Sequence, residues 1–495
     1  MLRICLAVLS ICCGAAAQEL VLSIAGPARV RVRDAAGVDH VPAGAVVVPI
    51  GPDRWFAADG QVRLPLEGKV LVRVERGPEW VPVLETVDAP GRREIRLRRW
   101  IDMRARGYSS GESHLHVAAR DLPAMMAAED LDFGNSLYWW NGPKLPRPDG
   151  DEPVRTARFG GRQVTMSVFD TEVENAWGAV YMIGLSRPTE IPWDRARANL
   201  AYIKEARELG ALVSYQGGWS REVLVDALLG LVDVVNLCNN NFHRHKYQPR
   251  SQFSNLLGVT GLPVYPNTPE GMMGMNTDTY YRLLNCGLTL AAGAESATGA
   301  KSTPAGYNRA YVKLGTKPDY RAFLDGWRRG RNFVTNGPMV FLTVNGKYEP
   351  GDTIALPPGG GKLKVRVKAE SNEPLRSVEV VVNGKAVGNP EALEIREGAW
   401  IAARATAEDR LLSDEELNRY LNTKGRTEAP CRLRFAHTSP IYVTVGGKGA
   451  RVEESVREAR AMLEAFERFA RATSSERHRA EILEAVQEAR RRLGS

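Results

Sequence analysis

Apolar and polar positions alternate with a period of two through much of residues 19–98. Val30-Arg31-Val32-Arg33 and Lys69-Val70-Leu71-Val72-Arg73-Val74 show it most clearly. That period marks strands with one face buried and the other in water. Gly37, Gly44, Gly51, Gly60, Gly68 and Gly77 punctuate the runs at turn-like spacing. The pattern predicts a small all-β module, a β-sandwich-like domain over residues 18–98.

Between residues 99 and 340 the pattern changes. Short apolar runs at 164–169, 211–215, 232–238, 262–265 and 288–292 each lead into a polar cluster. The clusters are Asp170-Thr171-Glu172, Gln216-Gly217-Gly218, Asn239-Asn240-Asn241, Pro266-Asn267-Thr268 and Gly293-Ala294-Glu295. Helical stretches are expected between them at 194–209, 222–229 and 277–285. Alternating strand and helix predicts a parallel sheet. The number of units predicts a distorted βα barrel, TIM-like and about seven-stranded, with its site at the C-terminal ends of the strands.

Residues 341–450 return to β alternation. Asn345-Gly346 and Asn383-Gly384 are hairpin turn signals, and Ser413 with Glu416 forms a capping box for one helix. Residues 451–495 are helical, with Val452, Val456, Ala459, Leu463, Phe466 and Phe469 on one stripe. Thr473-Ser474-Ser475 divides the stretch, so a helical hairpin tail is expected. The fold class read from the chain is thus α/β plus all-β modules: a barrel flanked by two β-sandwich-like domains and a hairpin.

Composition changes this picture little. With 495 residues, 44% hydrophobic and 25% charged, the chain has ordinary globular usage, which excludes disordered and collagenous classes. The net charge of +8 is spread along the chain. Its richest basic run, residues 92–106, lies between two expected domains, so a nucleic-acid partner is not expected. The first 17 residues add localisation. Arg3, an apolar run and Ala15-Ala16-Ala17 read as a cleaved signal peptide, and no later run is long enough to span a membrane. An exported protein, periplasmic or extracellular, is expected. Cys5, Cys12 and Cys13 leave with the signal. Cys238, Cys286 and Cys431 match no zinc spacing and read as buried thiols.

Candidate chemistry lies in the central segment. His114 and His116 flank Leu115; on a strand both imidazoles face one side and can offer two nitrogens to one metal ion. Glu172 follows another expected strand and can supply a carboxylate. His243-Arg244-His245 follows the Asn239-Asn240-Asn241 loop and reads either as a loop over the site or as a solvated basic loop. Trp139-Trp140 and Trp219 read as packing more readily than as a sugar platform.

Gly111-Glu112-Ser113-His114-Leu115-His116 and Ala128-Glu129-Asp130-Leu131 resemble the opening of PHP-domain metallohydrolases, most closely the carbaryl-hydrolase-like branch. The resemblance continues through Asn285-Cys286-Gly287-Leu288, Gly306-Tyr307-Asn308-Arg309-Ala310-Tyr311-Val312 and Gly330-Arg331-Asn332-Phe333-Val334-Thr335-Asn336-Gly337-Pro338, and covers residues 105–342. It implies a distorted barrel holding two or three metal ions, with His114 and His116 at the first metal motif and Glu172 at the bridging acid. At other ligand positions the chain carries Asn135-Ser136-Leu137-Tyr138, Ala179, Gln216 and Ala294-Glu295-Ser296-Ala297. The matched set, His114, His116, Glu172 and Glu295, suffices for one divalent ion (Zn, Mn or Fe).

Two functions follow from this reading. One is an exported metal-dependent hydrolase of an ester, amide or phosphoester. In it His243 or His245 serves as acid/base, Arg309 or Arg244 holds the oxyanion, and Gln216, Asn241 and Arg244 contact substrate. The other is an inactive barrel that binds a small molecule or a polysaccharide, with one ion or none. A third possibility is a structural protein whose β modules are the working part.

Overall fold

The computed structural model describes residues 19–315, 318–419, 421 and 428–494. The expected signal peptide lies outside the described residues. Among them, no helix is long and apolar enough to cross a membrane.

The N-terminal alternation forms one seven-stranded sheet. Its main path runs Val47–Ile50, Asp53–Leu64, Leu20–Asp34, Gly68–Glu75 and Val83–Ala89, all antiparallel, with Gly91–Ile95 parallel to Leu20–Asp34. Val30 and Val32 pair with Val74 and Val72 and face an apolar core. The alternate face carries Arg29, Arg31 and Arg73, which the pattern assigns to water. All three are instead buried. They pack around Trp55 and pair with Asp53 and Glu75. Arg29 also pairs with Glu129 of the central segment. The sheet therefore buries both faces, the second through ion pairs.

The expected barrel is not there. The molecule is mostly β, 38% strand and 21% helix, with several sheets and, among the described residues, no closed barrel. The central strands divide between two open mixed sheets. One, of twelve strands, runs through Arg162–Ser167, Phe133–Asn135, Tyr108–Gly111, Arg309–Lys313 and Asn332–Thr335 and on into Leu433–Thr438 and Ala399–Glu408. The other, of six strands, orders Trp139–Trp140, Thr171–Asn175, Gly178–Ile183, Leu212–Tyr215, Val234–Cys238 and Ala291–Ala294.

Two local features account for the difference. First, residues 171–183 form a tight hairpin: Thr171–Asn175 is antiparallel to Gly178–Ile183, which is in turn antiparallel to Leu212–Tyr215. A βα barrel requires parallel neighbours throughout. The polar cluster Asp170-Thr171-Glu172 is thus the start of a strand, not the end of one. Second, the strand Ala291–Ala294 ends its sheet because side chains occupy its outer backbone groups. The N–H of Ala292 donates to Oγ of Ser439 at 2.8 Å, and its carbonyl accepts from Trp327 Nε1 at 3.0 Å and Asn332 Nδ2 at 2.9 Å. These bonds do for the edge what a neighbouring strand does elsewhere. Residues 262–265, expected as a strand, have no regular structure.

The expected helices form as Asn199–Glu208, Val223–Leu228 and Pro269–Asn285, the last capped by Thr268. The tail folds as Glu453–Thr473 and Glu476–Gly494 with Ser474 between. Phe466 and Phe469 meet Trp177 edge-on, with ring centroids 5.9 and 5.0 Å apart. This packs the tail against the central segment.

Ser439→Ala leaves the Ala292 N–H buried without an acceptor, and Asn332 loses a partner. We expect it to destabilise the fold by about 1–3 kcal/mol. Urea unfolding should show a lower midpoint and an unchanged slope.

Candidate metal centre

Three donor atoms converge where residues 114–116 meet the Thr171–Asn175 strand of the six-stranded sheet. The Tyr108–Gly111 strand leads into residues 114–116, where Leu115 makes an isolated parallel bridge to Thr298 and the His116 N–H donates to the Thr298 carbonyl at 2.8 Å. Period two holds through that bridge. Leu115 and Val117 enter an apolar cluster, while His114 and His116 turn to the opposite side, where Glu172 meets them. Nε2 of His114 lies 2.8 Å from Nε2 of His116, and Oε2 of Glu172 lies 3.2 and 2.9 Å from the two nitrogens. All three residues are buried or nearly so.

Such spacing suits a metal ion. Ligand atoms sharing an ion at ~2.1 Å stand about 3 Å apart. Oε2 of Glu172 has no hydrogen-bond donor of good geometry. Behind the site, Nδ1 of His114 meets Oε2 of Glu295 at 2.7 Å, and Oε1 of Glu295 accepts from the Asn240 backbone N–H at 2.6 Å. A carboxylate accepts only, so it holds the proton on Nδ1 and aims the Nε2 lone pair at the site. Tyr181, opposite Glu172 in the hairpin register, lays its ring against His114 with centroids 4.1 Å apart. The buried His114–His116–Glu172 group can therefore bind a metal ion.

Without an ion the same groups hold each other's charge. Burial alone would push the His114 imidazole down, but the carboxylates of Glu172 and Glu295 overcome it and raise its pKa to about 10. Burial would push Glu172 up, yet the His114 and His116 rings bring it down to about 2. Below the site, burial raises Glu112 to about 8, only partly relieved by the Gly306 N–H.

The donor atoms face a cavity of about 360 Å³. The Trp140 ring lies tilted against His116, with centroids 4.5 Å apart. Gln216 donates to Asn240 Oδ1 at 2.8 Å on the opposite wall. Lys301 and Arg250 both reach Gln248 Oε1, at 3.1 and 3.2 Å.

The sequence-predicted residues divide between several places. His114, His116, Glu172 and Gln216 share this cavity. Glu295 is not in the three-atom group; it holds His114 from behind. Asn241 is buried without reaching the cavity. His243 lines an adjoining cavity, which His116 also lines, and its Nε2 lies 2.8 Å from the Asn240 carbonyl. Arg244 and Arg309 line a third cavity, apart from the metal group. His245 is buried against Asp409 and Arg244. Tyr181, Trp140, Lys301 and Arg250 were not singled out as site residues by sequence. Tyr181 was legible only through the hairpin, whose turn Asn175-Ala176-Trp177-Gly178 was the available signal.

No family model matches the chain, and no curated protein matches it. Among solved structures, the N-terminal four Ig domains of Dscam1 isoform 8.4 align over 85% of this chain and 91% of that one, at 8% identity and a TM-score of 0.13. A score that low carries no argument about fold or function.

His245 yields a pH prediction. Burial, with the Arg244 charge beside it, lowers its pKa to about 3, against about 6.5 unfolded. The unfolded chain then binds the extra proton first, so stability falls as pH drops from about 6.5 toward 3. Other buried groups titrate in the same window: burial also lowers His437 to about 3, and it raises Glu112 to about 8 and Asp170 to about 7, which act in the opposite sense. The share of His245 is therefore the difference between wild type and His245→Gln in urea unfolding, which should reach up to ~1.4 kcal/mol per pH unit between about pH 6.5 and 4.5.

Proposed function

We propose that this protein is a metal-dependent hydrolase with a one-ion site, acting on an ester, amide or phosphoester. The observation that carries the reading is the convergence of His114 Nε2, His116 Nε2 and Glu172 Oε2 at the wall of an open cavity. The motif resemblance to PHP-domain metallohydrolases over residues 105–342 supports it. It is a likeness of motifs, and the sheets here are open.

His114, His116 and Glu172 would hold the ion. Two imidazoles and a carboxylate suit zinc, iron or manganese. A divalent ion bound there supplies Lewis acidity and activates water near neutral pH. Glu295 keeps the His114 tautomer that ligation needs. Gln216 and Asn240 present amide groups for orienting a polar substrate. Lys301 and Arg250, steadied by Gln248, place positive charge where an oxyanion develops. They take the part that sequence reasoning gave to Arg309 and Arg244.

Trp140 and the amide side chains of Gln216, Asn240, Gln248 and Gln252 around the same cavity favour a second reading, a carbohydrate-binding site without turnover. Turnover separates the two, and metal content tests the first. The purified protein should carry about one divalent ion per chain by plasma mass spectrometry. His116→Ala should lose the ion and at least ~10²-fold in hydrolysis of a nitrophenyl ester or phosphoester, with an unchanged circular dichroism spectrum. Wild-type protein without an ion after loading with zinc, iron or manganese would sink the hydrolase reading.

A further inference from the structure

A third cavity, of about 70 Å³, lies where three parts of the chain meet. Arg29 and Glu75 come from the N-terminal sheet, Arg244 and Arg309 from the central segment, and Asp409 and Arg434 from the C-terminal one. Most buried charges there are matched. Glu75 accepts from Arg29 at 2.6 Å, Arg73 at 2.7 Å and Arg244 at 3.1 Å. Asp409 pairs with Arg434, and Glu129 with Arg29.

Arg309 is different. It is 1% exposed and forms no ion pair among the described residues. Its Nε donates to the Gly306 carbonyl and its Nη2 to the Glu129 carbonyl at 3.1 Å, while Nη1 has no partner. Tyr307, 6% exposed, lines the same cavity, and its hydroxyl has no partner either. These two carbonyl bonds hold the guanidinium in place. Gly77 and Gly306 wall it at positive φ, and a Cβ on either would come within 3.1 or 3.0 Å of Nη2. Two residues that line one space therefore each carry a buried donor with no acceptor among the described residues. Buried donors are ordinarily satisfied, and a guanidinium fork suits carboxylate and phosphate oxygens above other acceptors. Burial pushes Glu129 and Glu373 on the cavity wall upward. The space exceeds the ~10–15 Å³ that one water needs.

We propose that this cavity binds a small oxyanion, a phosphate or carboxylate group, through the Arg309 guanidinium and the Tyr307 hydroxyl. The site is separate from the metal centre and does not depend on the function proposed for it.

The test uses the full chain, stripped of metal by chelator so that no anion is read on an ion. Inorganic phosphate and acetate are titrated by calorimetry and thermal melting against chloride of equal ionic strength. At least one should bind saturably, one per chain, and raise the melting temperature; which one does so identifies the group. Tyr307→Phe deletes a hydroxyl that has no partner, so the unliganded melting temperature should hold or rise while affinity falls about 10- to 100-fold. Arg309→Met should abolish saturable binding. Should that variant fail to fold, Asn372→Trp, at the exposed rim, should block entry at wild-type stability. Stabilisation that grows without saturating is a general salt effect and overturns the proposal, as does binding that survives Tyr307→Phe and whichever of the other two variants folds.

Discussion

Glu75 is the carboxylate on which the arrangement of the molecule turns. Three guanidiniums, from Arg29, Arg73 and Arg244, reach its two oxygens. Burial opposes its charge, and the three cations overcome that and hold it far below the usual carboxylate range. A lone buried carboxylate costs several kcal/mol of desolvation, so such a group persists only with its partners in place. Two of the three come from the N-terminal sheet itself. The third, Arg244, belongs to the loop after the Val234–Cys238 strand. One carboxylate thus fixes a sheet face and a loop at the same time.

The loop is where this constraint meets the chemistry. It is tied at Arg244 on one side, and on the other its Asn240 N–H holds Glu295, which holds His114. The Asn240 carbonyl meets His243. The tautomer of a candidate metal ligand therefore rests on a backbone position that the N-terminal sheet helps to fix. A flexible loop of asparagines would leave Glu295 free to turn, and the His114 lone pair with it.

The same interaction explains what the sequence could and could not say. Period two in Val30-Arg31-Val32-Arg33 identified a strand and its core face from local information alone. It could not say that the arginine face is covered, because the covering carboxylate Glu129 is 100 residues away from Arg29. The His114–His116 pair was legible for the same local reason, since strand periodicity needs no partner. Glu172 was placed by its resemblance to a motif, although the strand it belongs to was misread. The barrel failed at two short features, a hairpin around residues 175–178 and an edge taken up by Ser439, Asn332 and Trp327. Apolar periodicity is blind to both, because parallel and antiparallel buried strands carry the same pattern of apolar residues.

Asn308 shows why a stretch without metal ligands still bears on the metal cavity. Its Nδ2 donates to the carbonyls of Asn239, Phe242 and Glu295, at 3.2, 3.0 and 3.0 Å. Its backbone N–H donates to Ser296 Oγ at 3.0 Å, and that hydroxyl reaches back to the Asn308 carbonyl. One side chain thus clamps the loop that presents Asn240 to the strand end that presents Glu295. Its neighbours on either side, Tyr307 and Arg309, face the other cavity. The turn 306–309 is therefore a shared wall. Its centre sets the backing of the metal group, while its flanks carry the two unpartnered donors. Asn308 is fully buried, so a change there must act through hydrogen bonds on both sides at once, whereas a change at Tyr307 can be confined to one.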